Sequence, residues 1–193
     1  MTLSRKTSQS HPLRIDTLPF GSGAIGMTFC PGKRQSNALS GVWDRNLAMD
    51  LDVMADWGCN EVMTLVEPWE LEELCVPDLG AAIAARGWRW HHWAILDGDP
   101  PDHRFLHRWT SEEEALRQRL RTGSRLLIHC KGGLGRAGTV AAMLLCMERP
   151  HEPVESLMAS VREARLGAIE TRSQEQFLLS QTWRVQQSGD GHA

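Results

Sequence analysis

The most informative segment of the chain is residues 126–139, which read LLIHCKGGLGRAGT. It opens as a short apolar strand and turns into a loop with three glycines. It then runs into the apolar segment 140–145, which has the character of a buried helix. Successive backbone N–H groups of such a loop point at one spot, and the positive end of the helix dipole lies behind them. The stretch therefore predicts an anion-binding site between a strand and a helix.

A cysteine and an arginine stand in fixed register within this loop. Cys130 lies at the loop entrance, and Arg136 follows after five intervening residues. Loop N–H groups and a guanidinium favour the thiolate form of a cysteine, which is the nucleophilic form. Arg136 also offers a planar fork that can hold two oxygens of a phosphate. We expect Cys130 and Arg136 to be catalytic. The expected phosphate-binding residues are Lys131, Gly132, Gly133, Leu134, Gly135 and Arg136.

Two other interpretations of the loop are open. Gly133, Gly135 and Gly138 match the dinucleotide-binding fingerprint, which requires a second strand ending in an acidic residue about 20 positions on. Residues 148–153 read ERPHEP and lead into a helical pattern, so that strand is missing. A strand, turn and helix with a core cysteine is the plainer interpretation. Neither accounts for the register between Cys130 and Arg136.

The pattern His129-Cys130-x5-Arg136 resembles the active-site signature of cysteine-dependent protein tyrosine phosphatases. The form HCxGGLGR is most similar to the dual-specificity branch around kinase-associated phosphatase, and the similarity runs from about Leu18 to Leu179. The resemblance implies hydrolysis of phosphotyrosine, with phosphoserine and phosphothreonine as further substrates, through a phosphocysteine intermediate. Two alternatives remain. One is a phosphatase for phosphoinositides or other small phosphomonoesters, which the extra cation of Lys131 could favour, and the other is a catalytically impaired phosphate-binding module.

Phosphoryl transfer to a thiolate needs an acid to protonate the leaving oxygen, a contribution of typically 10²–10⁴-fold. Residues 95–102 read ILDGDPPD and form the acidic loop that directly follows a predicted strand. The family places an Asp at the strand end with a proline about three residues on. The resemblance therefore favours Asp97 with Pro100, and Asp99 is the alternative. Aspartates of a proline-rich turn can also merely accept hydrogen bonds from the backbone.

Three further residues gain roles from the resemblance. Gln174 matches the family glutamine that places water for release of phosphate, and Gln176 is the alternative. His129 is expected to order the loop through hydrogen bonds. Ala137 departs from the family, which usually has Ser or Thr there to stabilise the departing thiolate. Thr139 should point to another side of the helix, so we expect slow breakdown of the intermediate.

Strands that alternate with helices in the rest of the chain predict an α/β fold, with a central, mostly parallel β-sheet flanked by helices. The resemblance implies that this fold is a single phosphatase domain. Residues 1–12 are expected to be disordered, residues 13–187 to form the domain, and residues 188–193 to be a flexible tail. A helix is expected to start at Thr110 with a capping box. Another is expected over about 172–187.

Composition narrows the class of protein. The chain has 193 residues, 41% hydrophobic and 23% charged, with a net charge of −3. This charge gives no sign of nucleic-acid binding. Five cysteines without regular spacing indicate a reducing compartment. The polar start and the lack of a long apolar run predict a cytoplasmic protein without a membrane segment. The expected partner is a phosphorylated protein. The oligomeric state is unknown from sequence. Chemistry by thiolate and guanidinium needs no cofactor and no metal.

Overall fold

The computed structural model describes residues 5–38 and 40–187. Within them, the central sheet has five strands in the order β1-β2-β7-β5-β6. These are β1 (Asp16–Phe20), β2 (Gly23–Phe29), β5 (Glu61–Thr64), β6 (Arg89–His92) and β7 (Arg125–Cys130). β1 pairs antiparallel with β2, and the other three pairings are parallel. A separate antiparallel pair is formed by β3 (Arg34–Gln35) and β4 (Trp43–Asp44). The predicted mostly parallel sheet is confirmed.

Helices flank this sheet and supply the rest of the core. They are α1 (Leu47–Asp56), α2 (Pro68–Glu73), α3 (Leu79–Ala85), α4 (His103–Arg121), α5 (Gly135–Glu148), α6 (Val154–Ala164) and α7 (Arg172–Ser180), followed by a 3₁₀ helix (Thr182–Gln187). Residues 135–146 of α5 are buried on every side, because α6, α7 and the sheet surround this helix. An apolar sequence with no polar face is what such a central helix requires.

The parallel strands bring the chemistry-bearing residues to one edge of the sheet. Phe29 at the end of β2 lies opposite Cys130, and Thr64 at the end of β5 lies opposite His129. Ligands of α/β sheets bind beyond the carboxyl ends of the strands. The stretch around Cys130 thus lies where the fold leaves room for a ligand.

Two helix boundaries differ from the prediction. α4 begins at His103, seven residues before Thr110, because Asp102 accepts hydrogen bonds from the N–H groups of Arg104 and Phe105. The Thr110 hydroxyl instead donates to the carbonyl oxygen of Leu106, inside the helix. The helix from residue 172 ends at Ser180, where Gln181 takes a left-handed conformation with φ 51°.

The start of the described chain is packed against the small sheet. The N–H of Lys6 donates to the carbonyl oxygen of Val42, and the Lys6 carbonyl accepts from Asp44. The buried Ser8 hydroxyl donates to the Asn46 carbonyl oxygen. Residues 5–12 thus make long-range contacts instead of showing the expected disorder. A polar sequence alone does not reveal such contacts. The expected tail, residues 188–193, lies outside the described residues. Across the ranges 5–38 and 40–187 there is no helix with the length and apolarity that a bilayer crossing demands.

Candidate active site

The loop between β7 and α5, residues 130–136 (the phosphate loop), holds the cysteine sulfur at the head of a helix. Cys130 is buried, and the N–H of Gly133 donates to its Sγ over 3.1 Å. Leu134 precedes α5 without a side-chain cap, and the first helical bond runs from Gly138 N–H to the Leu134 carbonyl. The N–H groups at the start of such a helix have no intrahelical partner and are available to an anion.

Two glycines of this loop are required by their surroundings. Gly133 has φ 73°, and a Cβ atom there would lie 2.3 Å from the carbonyl oxygen of Thr28. A Cβ on Gly135 would lie 2.9 Å from both side-chain amide atoms of Gln174. The loop is therefore pressed against β2 on one side and against the start of α7 on the other.

Arg136 is fixed by a carboxylate that the sequence analysis did not identify. Its guanidinium is buried and donates to both carboxylate oxygens of Glu70, over 2.6 and 3.0 Å, and to the carbonyl oxygen of Ile95. Burial opposes the charge, but Glu70 and Cys130 outweigh it and raise the pKa of Arg136. Its buried Nε has no hydrogen-bond partner among the described residues. A preoriented cation with a free donor fits an anionic ligand.

The three aspartates of the acidic loop after β6 lie in different surroundings. Asp97 is 61% exposed, and its Oδ1 lies 2.9 Å from Nη2 of Arg136. Asp99 is exposed, and its contact with Gln174 is made by its backbone carbonyl. Asp102 is the N-cap of α4. Asp97 is thus brought to the phosphate loop, whereas within the described part of the chain the side chains of Asp99 and Asp102 form no hydrogen bond or ion pair with that loop.

The two candidate glutamines also differ in burial and in contacts. Gln174 is fully buried, and its Oε1 accepts from the N–H groups of Glu170 and Thr171. Its Nε2 donates to the carbonyl oxygen of Asp99 over 3.2 Å, which leaves one of the two amide N–H donors for another partner. Gln176 is exposed. The structure therefore brings Gln174, and not Gln176, to the phosphate loop.

His129 lies behind the nucleophile and is fully buried. Its Nε2 shares a hydrogen bond of 2.8 Å with the Thr64 hydroxyl, which also accepts from Trp90 Nε1. Burial lowers the pKa of His129 to about 3, so the ring stays neutral at physiological pH. Such a residue ties β7 to β5 and does not titrate during a reaction.

The position after Arg136 has no hydroxyl available to the sulfur. Ala137 is buried, and the Thr139 hydroxyl donates to the carbonyl oxygen of Gly135 over 2.8 Å. This back-bond within α5 occupies the Thr139 proton. Thr139 therefore does not supply the hydroxyl that is missing at position 137.

Comparison with known proteins assigns the chain that carries this site to a family. A model of the dual-specificity tyrosine phosphatase domain of Swiss Army Knife proteins matches residues 43–178. Cyclin-dependent kinase inhibitor 3 of Mus musculus is 31% identical over 172 residues, which cover 86% of this chain and 77% of that relative. The chain belongs to the dual-specificity tyrosine phosphatase family.

Solved structures agree with this assignment. The phosphatase shares 29% identity and a TM-score of 0.76 with a crystal structure of kinase-associated phosphatase whose catalytic-site cysteine is replaced by serine. The match covers 86% of this chain and 92% of that one. Tk-PTP in its active form is 27% identical with a TM-score of 0.63, over 88% of this chain and 97% of that one. The expected cysteine-dependent phosphatase family is confirmed.

Charged residues that were not expected from the sequence lie around the phosphate loop of this phosphatase. Lys131 pairs with Glu73 over 3.2 Å, and its carbonyl oxygen accepts from the buried Nζ of Lys33. Glu170 places a carboxylate oxygen 3.1 Å from where a Cβ of Gly135 would stand. Lys33 had only a weak signal, since the sequence does not show that the strand before it, β2, pairs with β7. Glu70 had only the weaker signal of standing three residues after Glu67 in a capping box.

Proposed function

We propose that this phosphatase hydrolyses phosphotyrosine in proteins through a phosphocysteine intermediate. The observation that carries the proposal is the convergence of three groups at one sheet edge. Gly133 N–H lies 3.1 Å from the Cys130 sulfur, and Asp97 lies 2.9 Å from the Arg136 guanidinium. Nucleophile, oxyanion donors and acid are the parts that phosphoryl transfer to a thiolate requires.

The first step forms the bond between sulfur and phosphorus and breaks the bond between phosphorus and the substrate oxygen. The Cys130 thiolate attacks, while loop N–H groups and Arg136 hold the three equatorial oxygens. Arg136 Nε, which has no partner within the described residues, is available for one of them. Asp97 gives its proton to the leaving oxygen, and its exposure lets that oxygen reach it.

The second step returns the enzyme to its starting state. Water attacks the phosphocysteine, and Asp97, now ionised, takes up the water proton. The expected role of Gln174 is to orient this water with the amide N–H that Asp99 does not occupy. Phosphate then leaves, and the Cys130 thiolate is restored.

The relatives and one ion pair support the proposed substrate class. Relatives named for cyclin-dependent kinase inhibition and for association with a kinase favour a phosphoprotein as substrate. The phosphoinositide alternative depended on Lys131 as an extra cation, and Glu73 pairs with that ammonium. The alternative of a binding module retains the support of Ala137, which lacks the family hydroxyl.

Hydrolysis of an aryl phosphate and of one peptide phosphorylated on Tyr, Ser or Thr tests the proposal, with a phosphoinositide as the competing substrate. We expect release from phosphotyrosine and its abolition in Cys130→Ser. Asp97→Ala should lower kcat by about 10²–10⁴-fold and retain substrate binding, whereas Asp99→Ala should stay within about threefold of wild type. Tight phosphopeptide binding without release of phosphate would instead identify a binding module, and preference for the phosphoinositide would reject the phosphoprotein.

A further inference from the structure

A buried lysine lies against the phosphate loop and takes no part in the mechanism above. Lys33 ends the turn after β2 and is 4% exposed. Its Nζ donates to the carbonyl oxygen of Lys131, the residue after the nucleophile, over 3.0 Å. The centroids of the Phe29 and Trp43 rings each lie 5.0 Å from Nζ. An ammonium on ring faces with one hydrogen bond is an unusual position for a lysine.

Neighbouring cations of the site each have a carboxylate, and Lys33 does not. Arg136 is paired with Glu70, Lys131 with Glu73, and the buried Arg45 with Asp50. Within residues 5–38 and 40–187, Lys33 forms no ion pair with an acidic side chain. Burying a cation without a counter-charge is costly.

The hydrogen bond to the Lys131 carbonyl places the Lys33 ammonium beside the peptide that follows Cys130. Its titratable and charged neighbours include the thiols of Cys30 and Cys130 and the cations Arg45 and Lys131. Burial lowers the pKa of Lys33 to about 8, and the two cysteines oppose this shift. Burial also raises the pKa of Cys30 to about 12, so that thiol stays neutral. Because the nearby carboxylates are already paired with other cations, the sulfur of Cys130 is the group that can balance the charge of Lys33.

We propose that Lys33 is a positioning residue of this phosphatase, which fixes the peptide after Cys130 and keeps Cys130 in its thiolate form. The inference rests on the proposed role of Cys130 as nucleophile. Arg136 and the loop N–H groups then have two tasks, since they must also bind phosphate, whereas Lys33 acts on the thiolate from the β2 side. An ammonium held over two aromatic rings keeps its position when substrate enters and leaves.

The pH dependence of Cys130 alkylation by iodoacetamide, followed on the Cys130 peptide by mass spectrometry, tests the charge without requiring turnover. Lys33→Met keeps an apolar stem of similar length and removes the ammonium. We expect its alkylation midpoint to move upward by about one pH unit, which is a tenfold loss of thiolate below the midpoint. The acidic limb of the kcat/KM profile should move in the same direction. Lys33→Arg, which keeps the charge, should show a smaller upward shift than Lys33→Met.

Lys6→Met is the matched control, because Lys6 Nζ lies 5.1 Å from the same Trp43 ring and donates to the Ser40 carbonyl oxygen. Its alkylation midpoint should equal that of wild type. A folded Lys33→Met protein with an unshifted midpoint overturns the proposal, whatever its loss of activity. A shifted midpoint in a protein that hydrolyses no phosphate would leave the role of Lys33 intact and reject the proposed function instead.

A reciprocal measurement does not depend on the folding of Lys33 variants. The protonation of Lys33 is followed by NMR of the isotope-labelled lysine side chain, in wild type and in Cys130→Ser. Because linkage between the two charges is mutual, removing the thiolate should lower the pH at which Lys33 loses its proton. Equal titration of Lys33 in the two proteins would show that its counter-charge is not Cys130 and would overturn the inference.

Discussion

Among single residues, Ala137 is expected to limit the rate of the second step, because it lacks a hydroxyl. Thr139 cannot substitute, since its proton is held by the Gly135 carbonyl. The departing thiolate of the second step is then stabilised by Gly133 N–H, Arg136 and the proposed charge of Lys33, without a hydroxyl. We therefore predict that a rapid-quench assay of the wild type shows a burst of one leaving group per site, followed by slow turnover.

Ala137→Ser should add the hydroxyl with almost no change in volume. A hydrogen bond to a charged group contributes about 1.5 kcal/mol or more, so steady-state turnover should rise about tenfold while the burst shrinks. Ala141→Ser, one turn further along α5, supplies the same group away from the sulfur and should leave both phases unchanged. Absence of a burst in wild type would show that breakdown of the intermediate is already fast.

At the scale of elements, the start of α7 holds the turn that carries Asp97. The Thr171 hydroxyl donates to the Gly98 carbonyl over 2.9 Å, and Gln174 Nε2 donates to that of Asp99. Thr171 and Gln174 also form the capping box of α7, so helix formation and placement of the acid use the same residues. Ile169, with φ 59°, is a β-branched residue in the left-handed region directly before this junction. Such a conformation persists only where surrounding contacts impose it.

Gln174→Ala and Gln176→Ala form a matched pair on one helix. Loss of Gln174 leaves the N–H groups of Glu170 and Thr171 without their acceptor. The free energy of unfolding, measured with urea, should therefore fall by about 1–3 kcal/mol. The same substitution should lower kcat by about tenfold or more. Gln176 is exposed, and its removal should change unfolding free energy by less than about 0.5 kcal/mol. Equal effects of the two substitutions would contradict the assignment of Gln174 to the junction.

Sequence could predict what local patterns encode, and it missed what distant segments bring together. The strand before Cys130 and the buried α5 followed from an apolar run, a glycine loop and a second apolar run. The predicted start of α4 was wrong because Thr110, Ser111 and the three glutamates after them imitate a cap, whereas the real cap is Asp102, which follows two prolines. Glu70 and Lys33 stand far along the chain from the residues they contact, and no period in the sequence connects them.

For the whole molecule, the two ends of the sheet have separate tasks. The carboxyl ends of the strands carry the phosphate loop, and their amino ends meet at the buried Glu61. That carboxylate accepts two bonds from Arg119 of α4 and one each from His91 of β6 and Ser124, the residue before β7. Four segments are thus joined at one side chain, about 10 Å from the end of β5 that faces the site.

Acid stability should depend on this carboxylate. Burial alone would raise the pKa of Glu61, but hydrogen bonds from His91 and Arg119 outweigh it and lower the pKa to about 2, from an ordinary value of 4.5. A carboxyl whose pKa is lower in the folded state contributes stability above its unfolded pKa and loses it as the pH falls through its folded pKa. Glu61→Gln should lower the free energy of unfolding at pH 7 by on the order of 2 kcal/mol, a figure reduced because Arg119 is partly exposed to solvent. The difference from wild type should shrink between pH 5 and pH 2.

Urea unfolding of wild type and Glu61→Gln across that pH range measures the difference directly. Glu114→Gln removes the carboxylate of a surface pair with Arg117 and should cost less than about 1 kcal/mol, with little pH dependence. Because Glu61 lies at the far end of the sheet, kcat/KM of the folded Glu61→Gln protein at pH 7 should stay within about twofold of wild type. A stability difference that stays constant from pH 7 to pH 2 would show that the Glu61 charge does not join these segments. Loss of activity in the folded variant would show that the two ends of the sheet are coupled.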